Sequence, residues 1–94
     1  MMARTVFKYR LPPHIGITAS IETRIGWTPL HVGIQRDGVF ELPAIWILMD
    51  ERAGREPVQI RSIGTGMYVP ADSRYLGSAL LQGGIDVIHY FQVF

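Results

Sequence analysis

Hydrophobic and polar residues alternate along much of this chain, the period of a strand with one buried face. Phe7, Tyr9 and Leu11 alternate with Lys8 and Arg10 until Pro12-Pro13 stops the run. Ile17, Ala19, Ile21, Thr23 and Ile25 share one parity, and Thr18, Ser20, Glu22 and Arg24 take the other. Leu30, Val32 and Ile34 follow the same rule up to Asp37-Gly38. That dipeptide predicts a type I′ hairpin turn, whose two central residues both need positive φ.

Two segments break the alternation by being apolar on both parities. Ala44-Ile45-Trp46-Ile47-Leu48-Met49 is too short for a helix and is bounded by Pro43 and Asp50, so it predicts a central strand. The charged stretch 50–56 then reads as a solvated loop, with Val58 and Ile60 opening the next strand. The second segment, 85–94, belongs to a hairpin turning at Gly83-Gly84. Counting outward from a two-residue turn puts Gln82 opposite Ile85, Ser78 opposite His89 and Gly77 opposite Tyr90. This strand is either central or covered by a partner. The expected fold is all-β and mainly antiparallel. It is a compact sandwich or partly closed barrel of about seven short strands, forming a single β domain over residues 1–94. Trp46 is expected in the core, and Trp27, between Gly26 and Thr28-Pro29, in an exposed loop.

Composition narrows the function classes. Hydrophobic residues make up 48% and charged residues 18%, too apolar for a disordered segment. The net charge of +1 supplies no basic field, so non-specific nucleic-acid binding is not expected. The absence of cysteine excludes a disulfide scaffold, a thiolate metal cluster and a cysteine nucleophile. No run approaches a membrane span, and the start at Met1-Met2-Ala3 lacks a leader's apolar stretch, so the expected location is cytosolic.

Chemistry-bearing residues are few. His14, His31 and His89 lack the close spacing of a metal motif, and no metal or cofactor is expected. His89 is expected to be satisfied by a neighbour such as Ser78. Gly64-Thr65-Gly66 has two readings. One is a strand-ending turn that needs positive φ at glycine. The other is an anion cradle of consecutive amides with a threonine hydroxyl. In the second, Arg61, Thr65, Gly66, Tyr68, Arg74 and Tyr75 surround a planar anionic ligand, Arg as donor fork and Tyr as stacking face. The serines lack a nucleophile elbow and Asp50-Glu51 reads as solvent-facing, so no catalytic residue is assigned.

Several segments occur together in a distinctive order: Lys8-Tyr9 with Leu11-Pro12, Leu30-His31-Val32-Gly33-Ile34-Gln35, and Ile45-Trp46-Ile47-Leu48-Met49-Asp50. They are followed by Arg61-Ser62-Ile63-Gly64-Thr65-Gly66 with Val69-Pro70, Tyr75-Leu76-Gly77, and Gly83-Gly84 with His89-Tyr90-Phe91. This succession resembles a family of small proteins of unknown function common in bacteriophage and prophage genomes. The stretch 39–44 before the tryptophan is longer than in that pattern. The resemblance implies a phage-type accessory protein in the bacterial host cytoplasm, and it transfers no activity to any residue.

Three function classes follow. The first is a non-enzymatic protein sequestering a small anionic ligand, such as a nucleotide-derived signal of host defence. The second is an adaptor or inhibitor binding a host protein, and the third a structural or assembly component of the virion. A homo-oligomer is expected, because two strands apolar on both faces need cover.

Overall fold

The computed structural model describes residues 4–94, so the start at residues 1–3 lies outside the described residues. Seven strands follow one another: β1 (Arg4–Arg10), β2 (Thr18–Arg24), β3 (Thr28–Asp37), β4 (Phe40–Asp50), β5 (Arg55–Gly64), β6 (Ser73–Leu81) and β7 (Asp86–Val93). They form a three-stranded sheet in the order β1-β4-β3 and a four-stranded sheet in the order β2-β5-β7-β6. Every pairing is antiparallel. The fold is an all-β sandwich, the first of the two architectures expected.

Both doubly apolar segments are central strands, each in its own sheet. On β4, Ile45, Ile47 and Met49 point inward; on β7, Ile88 and Tyr90 do. With Val58 and Ile60 from β5 and Val32 from β3 they make one core between the sheets. Two sheets therefore give each apolar strand its inner cover without a second copy.

The β6–β7 hairpin has the register that counting from its glycines predicts. Ser78 pairs with His89, Gly77 with Tyr90 and Leu81 with Asp86. Gly83 and Gly84 both take positive φ, at 67° and 95°, as two central turn residues must. The β3–β4 turn differs from expectation. Asp37 pairs with Phe40, so Gly38 and Val39 are the turn residues. Only Gly38 has positive φ (61°), the pattern of a type II′ turn rather than a type I′.

The two tryptophans exchange the roles expected of them. Trp27 is 8% exposed and belongs to the core. Trp46 is half-buried on the outward face of β4, because Ile45 and Ile47 hold the inward parity. Three other details shift. Ile17 and Ile25 fall outside β2 and are exposed, and β5 begins at Arg55, inside the stretch expected as loop. Pro43, expected to bound a strand, lies within β4. Its carbonyl accepts from Leu11 N (2.9 Å), just past the end of β1. Amide and carbonyl of one strand residue point the same way, so the missing N–H faces that gap and costs no ladder bond.

The connection from β5 to β6 sets up the surface. Both strands flank β7 and run antiparallel to it, so they are parallel to each other and residues 65–72 must cross β7. The core fills the inner face, so the crossing is made outside. Ile63, on the outward parity of β5, is accordingly only 3% exposed.

Candidate functional site

One end of the sandwich gathers the β1–β2 loop, the turn after β5 and the β6–β7 hairpin turn. Between them lies an open groove of about 630 Å³. Ile15, Leu81, Ile85 and Ile88 give it apolar walls, and His14, Thr65, Gln82 and Asp86 are its polar groups. No lysine or arginine lines it.

Local rules build each wall. The turn after β5 is closed by Met67 N donating to Gly64 O (3.1 Å), with Thr65 and Gly66 as its central residues. Gly66 has φ of 89°, the conformation a type II turn requires at its second central residue. The Gly-Thr-Gly segment is thus a strand-ending turn that also presents Thr65 to the groove. The β1–β2 loop is held by Ser62, a buried side chain of β5. Its hydroxyl donates to His14 O (2.5 Å) and accepts from Ile17 N (3.0 Å). Gly16 N donates to Ser62 O (2.7 Å). On the hairpin side, Gln82 N donates to Glu41 Oε1 (2.7 Å), tying the turn to β4.

Thr65 is also the end of a chain of polar groups across the outer face of the four-stranded sheet. Tyr75 Oη and Ser78 Oγ are 2.6 Å apart, Ser78 Oγ and His89 Nδ1 2.7 Å, and His89 Nε2 and Thr65 Oγ1 3.1 Å. Neutral imidazole donates from one nitrogen and accepts at the other, so the chain runs with either polarity. With Nε2 protonated, His89 donates to Thr65 and the threonine proton is left for the groove. With Nδ1 protonated, Thr65 donates to His89 and shows the groove only lone pairs. The arrangement lets Thr65 meet either an acceptor or a donor on a ligand.

The six residues expected to surround an anion are not brought together as one site. Thr65 lines the groove and Gly66 shapes its turn. Arg61 and Tyr75 share the outer face, on either side of Phe91, so two strand spacings of about 5 Å separate their backbones. Tyr75 packs on Phe91, with ring centroids 5.3 Å apart. Arg74 has the opposite parity and lies over the Trp27 ring, 5.1 Å from its centroid. Tyr68 is 99% exposed on the crossing loop.

Sequence reasoning missed His14, Gln82 and Asp86. The hairpin count already placed Gln82 and Asp86 beside the Gly83-Gly84 turn. Nothing local shows that β2 pairs with β5, which is what carries His14 to the same end. Ser78 satisfies His89 as expected, on the half-exposed outer face of the sheet.

Residues 2–94 match a family described as a domain of unknown function (DUF7352). The chain belongs to that family. No curated protein and no solved structure matches the DUF7352 chain. Among its described residues no helix is long and apolar enough to cross a membrane, and no cluster of three or more His, Cys, Asp or Glu could hold a metal ion.

Proposed function

We propose that this protein is a non-enzymatic binding module, a phage-type accessory protein of the bacterial cytoplasm, whose ligand enters the loop-end groove and bonds Thr65. The observation that carries the reading is that the polar chain from Tyr75 ends on a hydroxyl in an apolar-walled groove. Binding sites of this kind pair apolar walls with a few oriented polar groups. The groove contains Asp86 and no cation, so its chemistry suits a small ligand with an apolar body and hydrogen-bond donors. The arginines that an anionic, nucleotide-derived ligand would use lie elsewhere, Arg61 and Arg74 having opposite parities. The test is a thermal-shift panel containing neutral and cationic amphiphiles alongside nucleotides. The reading expects stabilisation by the first group that Thr65→Val removes and Arg61→Ala leaves intact. Stabilisation by nucleotides alone, lost in Arg61→Ala, would return the site to the outer face.

A second reading, an adaptor for a host protein or a homo-oligomer, has one observation in its favour. Val39 is 92%, Phe40 67% and Ile85 80% exposed, and the Gln82–Glu41 bond draws their two hairpins together. Apolar side chains that exposed are a cost in water that a partner's surface removes. Light scattering alone and with host lysate fractions distinguishes self-association from capture of another protein.

A further inference from the structure

The outward face of the three-stranded sheet holds an arrangement that the groove does not use. In register across it lie Lys8, Trp46 and His31, and in the next row Arg10, Ala44 and Gly33. Trp46 is half-buried there, and the His31 ring leans on it at 35°, with centroids 5.6 Å apart. Gly33 makes this possible: His31 Nε2 lies 2.5 Å from where a Cβ would be. The His31 ring closes over Gly33 and Ala44 is 1% exposed, so the open aromatic surface of this face is that of Trp46 and His31 themselves.

The same face is electrically one-sided beside the rings. Arg4, Lys8 and Arg10 alternate outward on β1, which carries no carboxylate. Among the described residues none of the three is in an ion pair; the pairs are Arg36–Glu41, Arg52–Asp50 and Arg55–Glu22. Asp50 lies opposite Arg4, which leaves Lys8 and Arg10 as the cations flanking Trp46. Lys8 Nζ donates only to the neutral Gln35 Oε1. Lys8 and Arg10 are two residues apart on one strand, about 7 Å.

An aromatic platform bordered by two cations that are in no ion pair among the described residues is the chemistry that holds a single nucleic-acid strand. Bases stack on the rings while the cations follow the backbone. We propose that this face binds single-stranded nucleic acid, with Trp46 and His31 as the stacking platform and Lys8 and Arg10 on the phosphates. The net charge of +1 prevents charge alone from holding the strand, so stacking must supply most of the affinity. With two phosphate contacts, the logarithm of the affinity should fall with that of salt at a slope of about −1.4.

Fluorescence anisotropy of a labelled single-stranded octamer tests this. The wild-type chain should bind at low salt, more tightly than it binds duplex of the same length or a mononucleotide. Trp46→Leu keeps an apolar residue on the face and removes the platform, so it should weaken binding about tenfold or more. Trp46→Phe should recover part of that loss. Lys8→Gln with Arg10→Gln should bring the salt slope towards zero. Melting curves of each variant show whether it is folded. The proposal is overturned by no octamer binding at low salt, by duplex or mononucleotide binding as tightly, or by folded Trp46→Leu binding like wild type. The groove does not share these residues, so failure here leaves the Thr65 test standing.

Discussion

A Cβ placed on Gly77 would stand 2.7 Å from the Cβ of Val32. These residues lie on β6 and β3, the facing edges of the two sheets, and glycine is what lets the edges approach so closely. The backbone at Gly77 also has φ of 154°, which L side chains rarely adopt. Gly77→Ala should therefore destabilise the protein by about 2–3 kcal/mol, the upper range for overpacking. Val32→Ala retains the clashing Cβ and should not rescue it. Urea denaturation of the two single variants and the double variant checks both statements.

Trp27 and Trp46 differ in cover, and their truncations should differ accordingly. Trp27→Ala opens the core and should cost about 3–5 kcal/mol. Trp46→Ala should cost less than half as much, because its ring faces outward. In the wild type, acrylamide should quench Trp46 emission and spare Trp27, which the single-tryptophan variants Trp27→Phe and Trp46→Phe resolve.

The exchange of these tryptophans shows how far the pattern of the chain could be read. Period-two alternation identified the strands, and a glycine-glycine turn set the Ser78–His89 and Gly77–Tyr90 pairs by counting alone. Around Trp46 both parities are apolar, so the pattern could not say which side faces in. Trp27 sits among turn-forming residues, and its burial depends on the opposite sheet. The candidate site was harder for the same reason. Thr65 was visible as a loop hydroxyl, but its neighbours come from the β1–β2 loop and the β6–β7 hairpin. Arg61 and Tyr75, expected around one ligand, stand on the outer face with Phe91 between them, because β7 enters between β5 and β6.

Tyr90 gives the fold a pH dependence at its alkaline side. Its side chain is buried and its hydroxyl donates to Pro12 O (2.5 Å). Burial raises its pKa well above the ordinary value of 10.0. The folded chain thus keeps this proton at a pH where the unfolded chain releases it. The contribution is fully present below about pH 10 and is lost as pH rises from there towards the folded-state pKa. Urea midpoints should fall as pH rises above about 10, and Tyr90→Phe should reduce that fall. At neutral pH the same variant leaves Pro12 O without its donor and should cost about 1–2 kcal/mol.

His89 joins the crossing loop to β6 through Thr65 and Ser78. His89→Leu removes both bonds and should cost about 1–2 kcal/mol. It should also raise the opening rate of residues 65–72 well above that of the β4 core. Hydrogen exchange read by mass spectrometry would show it, and an unchanged loop would mean that the imidazole is not its clamp.

The strand order β2-β5-β7-β6 has a consequence for how the chain is made. Of the seven strands, β7 leaves the ribosome last, yet it occupies an inner lane of its sheet, with β5 on one side and β6 on the other. Until it arrives, those two strands have no partner on the sides that face each other, and the loop joining them spans an empty lane. The β2–β5 pair can form once residue 64 is made, but completion of this sheet waits for synthesis to pass residue 93, whereas the β1-β4-β3 sheet has all its strands by residue 50. The nascent protein passes through a stage with one sheet assembled and the apolar edges of the other open, the interval in which a chaperone or a sister chain could claim them.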